Sequence, residues 1–121
     1  MILVIEDNQM VAELFAQAIT SEGYQADIAS DGKEALRKLM ENSYLMAFVD
    51  LGIPEMDGIE VVSSARAAGI TIPMIAVTGG TETSDKLMIL SGFSGPSIRK
   101  PVRLSALTDT IRAWCGPPKE L

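Results

Sequence analysis

Apolar runs and amphipathic stretches alternate five times along this chain. The first run is Ile2-Leu3-Val4-Ile5. Behind it Val11, Leu14, Phe15, Ala18 and Ile19 recur at the spacing of one helix face. Gly23 stands where a left-handed residue ends such a helix. The second run, Tyr24 to Ala29, alternates more and reads as an edge strand. Ser30-Asp31-Gly32 supplies a turn and a cap for a helix carrying Ala35, Leu36, Leu39 and Met40. The third run is Leu45 to Val49, ending at Asp50. Leu51 to Gly58 carries turn chemistry throughout, and a helix follows from Ile59 to about Ala68, stopped by Gly69. The fourth run is Pro73 to Val77. Thr78-Gly79-Gly80-Thr81 leads from it into a fourth helix near Glu82 to Leu90. The fifth run, Phe93 to Ile98, is the weakest and contains Gly95 and Pro96. A last helix is expected near Leu104 to Trp114, with Leu104, Leu107, Ile111 and Trp114 on one face. Gly116-Pro117-Pro118 cannot continue it.

This alternation predicts an α/β fold: a doubly wound parallel sheet with right-handed crossovers and helices on both faces. The 121 residues fit one domain, and no repeat or linker divides them.

The polar residues that close the runs carry the chemistry. Glu6 and Asp7 follow the first, Asp50 the third, Thr78 the fourth, and Lys100 the fifth. Ligand sites in open parallel sheets gather at the carboxyl ends of the strands. Three carboxylates, a hydroxyl and an ammonium would therefore meet in one crevice. Together they suit a divalent cation and a phosphoryl group. Singly, each has a plainer reading: Glu6, Asp7 and Asp57 as solvated loop acids, Thr78 and Gly58 as turn residues, Lys100 as a surface lysine, Met56 as packing.

Composition removes other classes. A net charge of −6, from 16 acidic and 10 basic residues, argues against nonspecific nucleic-acid binding and against an anionic membrane surface. There is no histidine, so a Ser-His-Asp triad, His-ligated zinc and phosphohistidine on this chain are excluded. Cys115 is the single cysteine, which rules out an internal disulfide and fits a reducing compartment. No apolar run approaches the roughly 20 residues that span a bilayer. Met1 runs directly into the first strand without a signal-peptide pattern. A cytoplasmic location is expected.

Four segments, in order, resemble the receiver domains of two-component response regulators. They are Ile2-Leu3-Val4-Ile5-Glu6-Asp7-Asn8, Val49 through Gly58, Val77-Thr78-Gly79-Gly80, and Arg99-Lys100-Pro101. The resemblance implies a flavodoxin-like αβα sandwich of five parallel strands in order 2-1-3-4-5 with five helices. It implies a receiver domain over residues 1–116 and a C-terminal tail over 117–121. It implies that Asp50 accepts a phosphoryl group from a sensor histidine kinase or a histidine phosphotransfer protein. A carboxylate is chemically competent as such a nucleophile. Mg²⁺, with Mn²⁺ as the alternative, would be held by Glu6, Asp7, Asp50 and the backbone carbonyl of Gly52. Thr78, Gly79 and Lys100 would bind the phosphoryl group and switch with it. A cis peptide is implied between Lys100 and Pro101. The output would be altered binding to a downstream protein, with no direct contact to nucleic acid or membrane and no turnover of outside substrates.

Two departures stand out. Family members usually carry an aromatic residue three positions before the lysine, and here that position is Ser97. The coupling of Thr78 to the face formed by the fifth strand is therefore in question. That leaves a second reading, a phosphorylation-independent scaffold. Gly52, two residues past Asp50, offers no side chain to shield a phosphoryl group, which predicts a short-lived aspartyl phosphate. Gly52 also stands where an aspartate-nucleophile phosphatase needs its acid. A flavodoxin-like electron carrier is disfavoured because Glu6-Asp7 would repel a flavin phosphate.

Overall fold

The computed structural model of this chain describes residues 1–53, 55–79 and 91–116. Its five strands are β1 (Ile2–Ile5), β2 (Ala26–Ala29), β3 (Met46–Asp50), β4 (Met74–Thr78) and β5 (Ile98–Arg99). They form one sheet in the order β2-β1-β3-β4-β5, every neighbouring pair parallel. The helices among the described residues are α1 (Gln9–Ser21), α2 (Gly32–Glu41), α3 (Gly58–Ala67) and α4 (Leu104–Cys115). The helix expected near Glu82 to Leu90 lies outside the described residues, as do Gly80, Thr81 and the expected tail over 117–121.

Because successive strand side chains point to opposite faces, each central strand feeds two cores. Leu3, Ile5, Ala47, Val49, Met74 and Ala76 pack under α2 and α3, against Ala35, Leu39, Val61, Val62 and Ala65. Ile2, Val4, Met46, Phe48, Ile75 and Val77 pack under α1 and α4, against Phe15, Ala18, Ile19, Leu107 and Ile111. Phe15 meets Phe48 edge to face, with ring centroids 5.1 Å apart. Strands buried on both faces read as unbroken apolar runs, which is why β1, β3 and β4 were plain in the sequence.

Three helix starts are capped by short polar side chains. The side chains of Asn8, Asp31 and Asp57 accept from the amides of Val11, Glu34 and Glu60. Each satisfies one of the unpaired amides at its helix N-terminus. Asp57 is exposed, as the plainer reading expects, and also caps α3, which begins one residue before the expected Ile59.

The structure corrects several other expectations. β5 is only Ile98–Arg99, because Gly95 has a φ of +65° and the chain from Phe93 to Ser97 turns instead of pairing. The Ser94 hydroxyl accepts from the Met74 amide, and its own amide donates to Met74 O, so side chain and backbone replace a ladder there. Leu45, Met40, Leu104 and Trp114 are exposed, not core. No helix among the described residues is long and apolar enough to cross a membrane.

Candidate functional site

Strand register assembles the site. Ile5 pairs with Val49, so Glu6 and Asp50 leave adjacent strands side by side. Thr78 pairs with Arg99, and the Lys100 amide donates to Thr78 O at 2.8 Å, so Lys100 enters from the far side of β4. The Lys100–Pro101 peptide is cis. Glu6, Asp50 and Thr78 are buried at this edge, while Asp7 is exposed above them. Carboxylate oxygens of Glu6, Asp7 and Asp50 all lie within 4.8 Å of one another.

Lys100 Nζ stands 3.0 Å from Asp50 Oδ2 and 3.0 Å from Glu6 Oε1. The first contact is a hydrogen bond. The second is an ion pair without hydrogen-bond alignment, so buried Glu6 Oε1 has no proper donor. The other Glu6 oxygen accepts weakly from the Asn8 amide at 3.3 Å. Asp50 Oδ1 accepts from the Gly52 amide at 3.0 Å.

The two carboxylates split accordingly. Burial, and then the neighbouring Asp50, push the Glu6 pKa up to about 7. Burial also works against ionised Asp50. Its contacts with Glu6, the Gly52 amide and Lys100 outweigh that and hold its pKa below the ordinary aspartate value. Burial likewise opposes the charge on Lys100, but Asp50 and Glu6 outweigh it and raise its pKa. Near neutral pH the site therefore holds an ionised Asp50 beside a Glu6 that is partly protonated.

Carboxylate oxygens of Glu6, Asp7 and Asp50 close together form an oxygen donor set of the kind hard divalent cations take. Asn8 serves this site as well as the helix: its side chain caps α1 while its amide touches Glu6. Sequence reasoning placed Asn8 in the motif but gave it no task. Gly79 is exposed, and a Cβ there would meet nothing within 4 Å. Ser97 is half-buried. It lines a cavity of about 260 Å³ with Pro96, Ile98, Asp109, Thr110 and Trp114. A larger cavity of about 370 Å³, between Leu39, Tyr44 and Ile72, contains none of the expected site residues.

The sequence matches the response regulator receiver domain family over residues 2–112. This chain belongs to that family. It is 33% identical over 114 residues to the sensor histidine kinase RcsC of Salmonella typhi, covering 94% of this chain and 12% of the kinase. It is 35% identical over 112 residues to the response regulator ArlR of Staphylococcus epidermidis, covering 93% of this chain and 51% of the regulator. The chain thus spans an eighth to a half of the lengths of these curated relatives. Among solved structures it resembles the receiver domain of the Pseudomonas aeruginosa sensor histidine kinase PA1611. The TM-score is 0.82 at 26% identity, over 95% of this chain and 96% of the other. That structure holds a magnesium ion coordinated in its active-site cleft. The five-stranded order 2-1-3-4-5 of this receiver domain agrees with its CheY-like neighbours.

Proposed function

We propose that this receiver domain takes a phosphoryl group onto Asp50 from a sensor histidine kinase or a histidine phosphotransfer protein. The phosphoryl group then changes which protein it binds. The observation that carries the reading is the cluster at the strand ends: oxygens of buried Glu6 and Asp50 and exposed Asp7 within 4.8 Å, with Lys100 hydrogen-bonded to Asp50. Family membership supports it.

Asp50 is the acceptor. Its depressed pKa keeps the carboxylate ionised and nucleophilic, and the Gly52 amide and Lys100 fix its two oxygens. One Asp50 oxygen attacks phosphorus as the phosphorus–nitrogen bond of the donor breaks and the imidazole leaves with that electron pair. Glu6, Asp7, Asp50 and the Gly52 carbonyl would hold Mg²⁺, or Mn²⁺ in its place. The ion supplies charge neutralisation between the anionic nucleophile and the anionic phosphoryl group. Lys100 lies near enough to shift from carboxylate to phosphoryl oxygen as a point charge. Thr78 and Gly79 bind and respond to the phosphoryl group from β4. Position 52, two residues past the acceptor, is glycine and offers no acid for outside substrates, which supports a switch over a turnover enzyme. It works in the cytoplasm, away from membrane and nucleic acid, as one domain over residues 1–116.

Ser97 supports a second reading, a phosphorylation-independent scaffold. No aromatic side chain occupies position 97, and Ser97 borders a cavity whose other wall is Trp114. Incubation with a small acyl phosphate separates the two. Mg²⁺-dependent mass gain of one phosphoryl group favours the switch. No gain with any donor, its cognate kinase included, favours the scaffold.

A further inference from the structure

In the loop between Asp50 and α3, the described residues Leu51 and Met56 each meet a glycine of a helix start at close range. Gly32, the first residue of α2, is buried, and a Cβ there would lie 2.0 Å from Met56 O and 2.6 Å from Met56 Cβ. Gly58, the first residue of α3, is buried too. A Cβ there would lie 2.8 Å from Asp50 O, 2.9 Å from Val49 Cγ1 and 3.1 Å from Leu51 Cα. Most of these atoms are backbone and cannot rotate away. Two more contacts tie the loop to its surroundings. Ile53 is buried in the core under α2 and α3, and Lys33 pairs with Glu55 at 3.5 Å. Glu55 has a φ of +72°, a conformation that costs a non-glycine residue energy and persists where the surroundings over-determine it.

We propose that Gly32 and Gly58 are positioning residues for the site. By letting backbone meet backbone they fix the loop, and through it the Gly52 amide against Asp50 Oδ1. Gly32 belongs to α2, a helix that carries none of the expected site residues. α2 thereby gains a mechanical link to the acceptor carboxylate. A side chain at position 32 displaces Met56 and carries Gly52 with it. A side chain at position 58 displaces the Asp50 carbonyl directly. The consequence for metal binding rests on the receiver reading above, whereas the hydrogen-bond consequence does not.

The test is Gly32→Ala and Gly58→Ala, with Ile111→Val in the opposite core as a control for general destabilisation. Each folded protein is followed by hydrogen exchange at the Gly52 amide and by Mg²⁺ titration. The expected result is exchange at Gly52 faster by about fivefold or more in the glycine variants, and Mg²⁺ affinity lower by about tenfold, as small displacements of positioned groups produce. Ile111→Val should lower the melting temperature and move neither quantity. Gly52 exchange within about twofold of wild type in a folded glycine variant overturns the proposal. If Gly32→Ala does not fold, Gly58→Ala, whose contacts are less severe, carries the same two outcomes. Changed Gly52 exchange in a protein whose wild type binds no Mg²⁺ supports the positioning role and removes the metal reading.

Discussion

Two lysine–carboxylate clusters in this molecule are built from similar parts and behave oppositely. Beside the edge strand β2, Asp27 accepts from Lys38 at 2.8 Å and from the Tyr44 hydroxyl at 2.6 Å. Lys38 also donates to Ile28 O. Burial works against the Asp27 charge, but Lys38 and Tyr44 outweigh it and lower its pKa. At the carboxyl ends of the strands, one lysine faces two buried carboxylates, and Glu6 is left with a raised pKa and an oxygen without a donor. The first cluster has a donor for each Asp27 oxygen and holds the fold. The second buries both carboxylates that its lysine faces and leaves one oxygen without a donor, whereas the further carboxylate near Lys38, Glu34 at 3.5 Å, is only half-buried. We read that unmet oxygen as the place for the proposed cation and phosphoryl group. Ionisation is perturbed in both clusters, and the difference lies in the direction: Asp27 is lowered by its partners, whereas buried Glu6 is raised.

The largest effect that would break this contrast is at Lys100. Lys100→Met should slow phosphoryl uptake by about 10²-fold, since it removes a preorganised charge from the reacting centre. Rates with an acyl phosphate donor measure it. Loss of only a few-fold would place Lys100 with Lys38 as a structural cation.

Acidity comes next. The folded pKa of Glu6 is raised from 4.5 to about 7, so its protonated form favours the fold. That contribution is fully present below pH 4.5 and is lost as pH rises through 7, in the absence of metal. A cation needs the ionised form, so Mg²⁺ affinity should fall by up to about tenfold per pH unit below that value. Titrations from pH 6 to 8 check this, and a flat profile would contradict the Glu6 assignment. Asp27 has the opposite sign. Its lowered pKa gives stability that is present above the unfolded value and is lost in acid as pH falls through the folded value.

A smaller effect sharpens the structural side. Tyr44→Phe should cost about 2 kcal/mol, the usual worth of one hydrogen bond to a charged partner, and leave phosphoryl uptake unchanged. Thermal melting and the uptake assay together read it. The smallest effect concerns Gly52, which is exposed and whose built Cβ meets only Asp50 Oδ1, at 3.8 Å. Gly52→Asn should lengthen the life of the aspartyl phosphate by about threefold to tenfold by obstructing water, or roughly 1 kcal/mol in the barrier. An unchanged decay rate would remove steric shielding at position 52 from the account.

Much of this was readable in the chain because it depends on local pattern. Glu6, Asp50 and Thr78 were found from the apolar runs they close, and parallel register then makes neighbours of them. β5 was overextended, since Phe93 is apolar and buried but belongs to a turn held by Ser94 and Arg66. Arg66 donates to Gly92 O and Ile70 O, and no run of sequence announces such a link. The bidentate ion pair from Arg112 to buried Glu22, which ties α4 to the end of α1, was equally invisible. So were the tasks of Gly32 and Gly58, whose requirement is close backbone approach from distant elements. Sequence pattern speaks to periodicity and to strand ends. It is silent where two segments must touch.

The most direct test is to locate the phosphoryl group chemically. The protein is treated with an acyl phosphate and Mg²⁺, reduced with borohydride, which converts an aspartyl phosphate to homoserine, and mapped by peptide mass. The account predicts reduction at position 50 alone, dependent on Mg²⁺ and absent in Asp50→Asn. Phosphoryl uptake with reduction at Asp7 or Asp57, or uptake that survives Asp50→Asn unchanged, would contradict it.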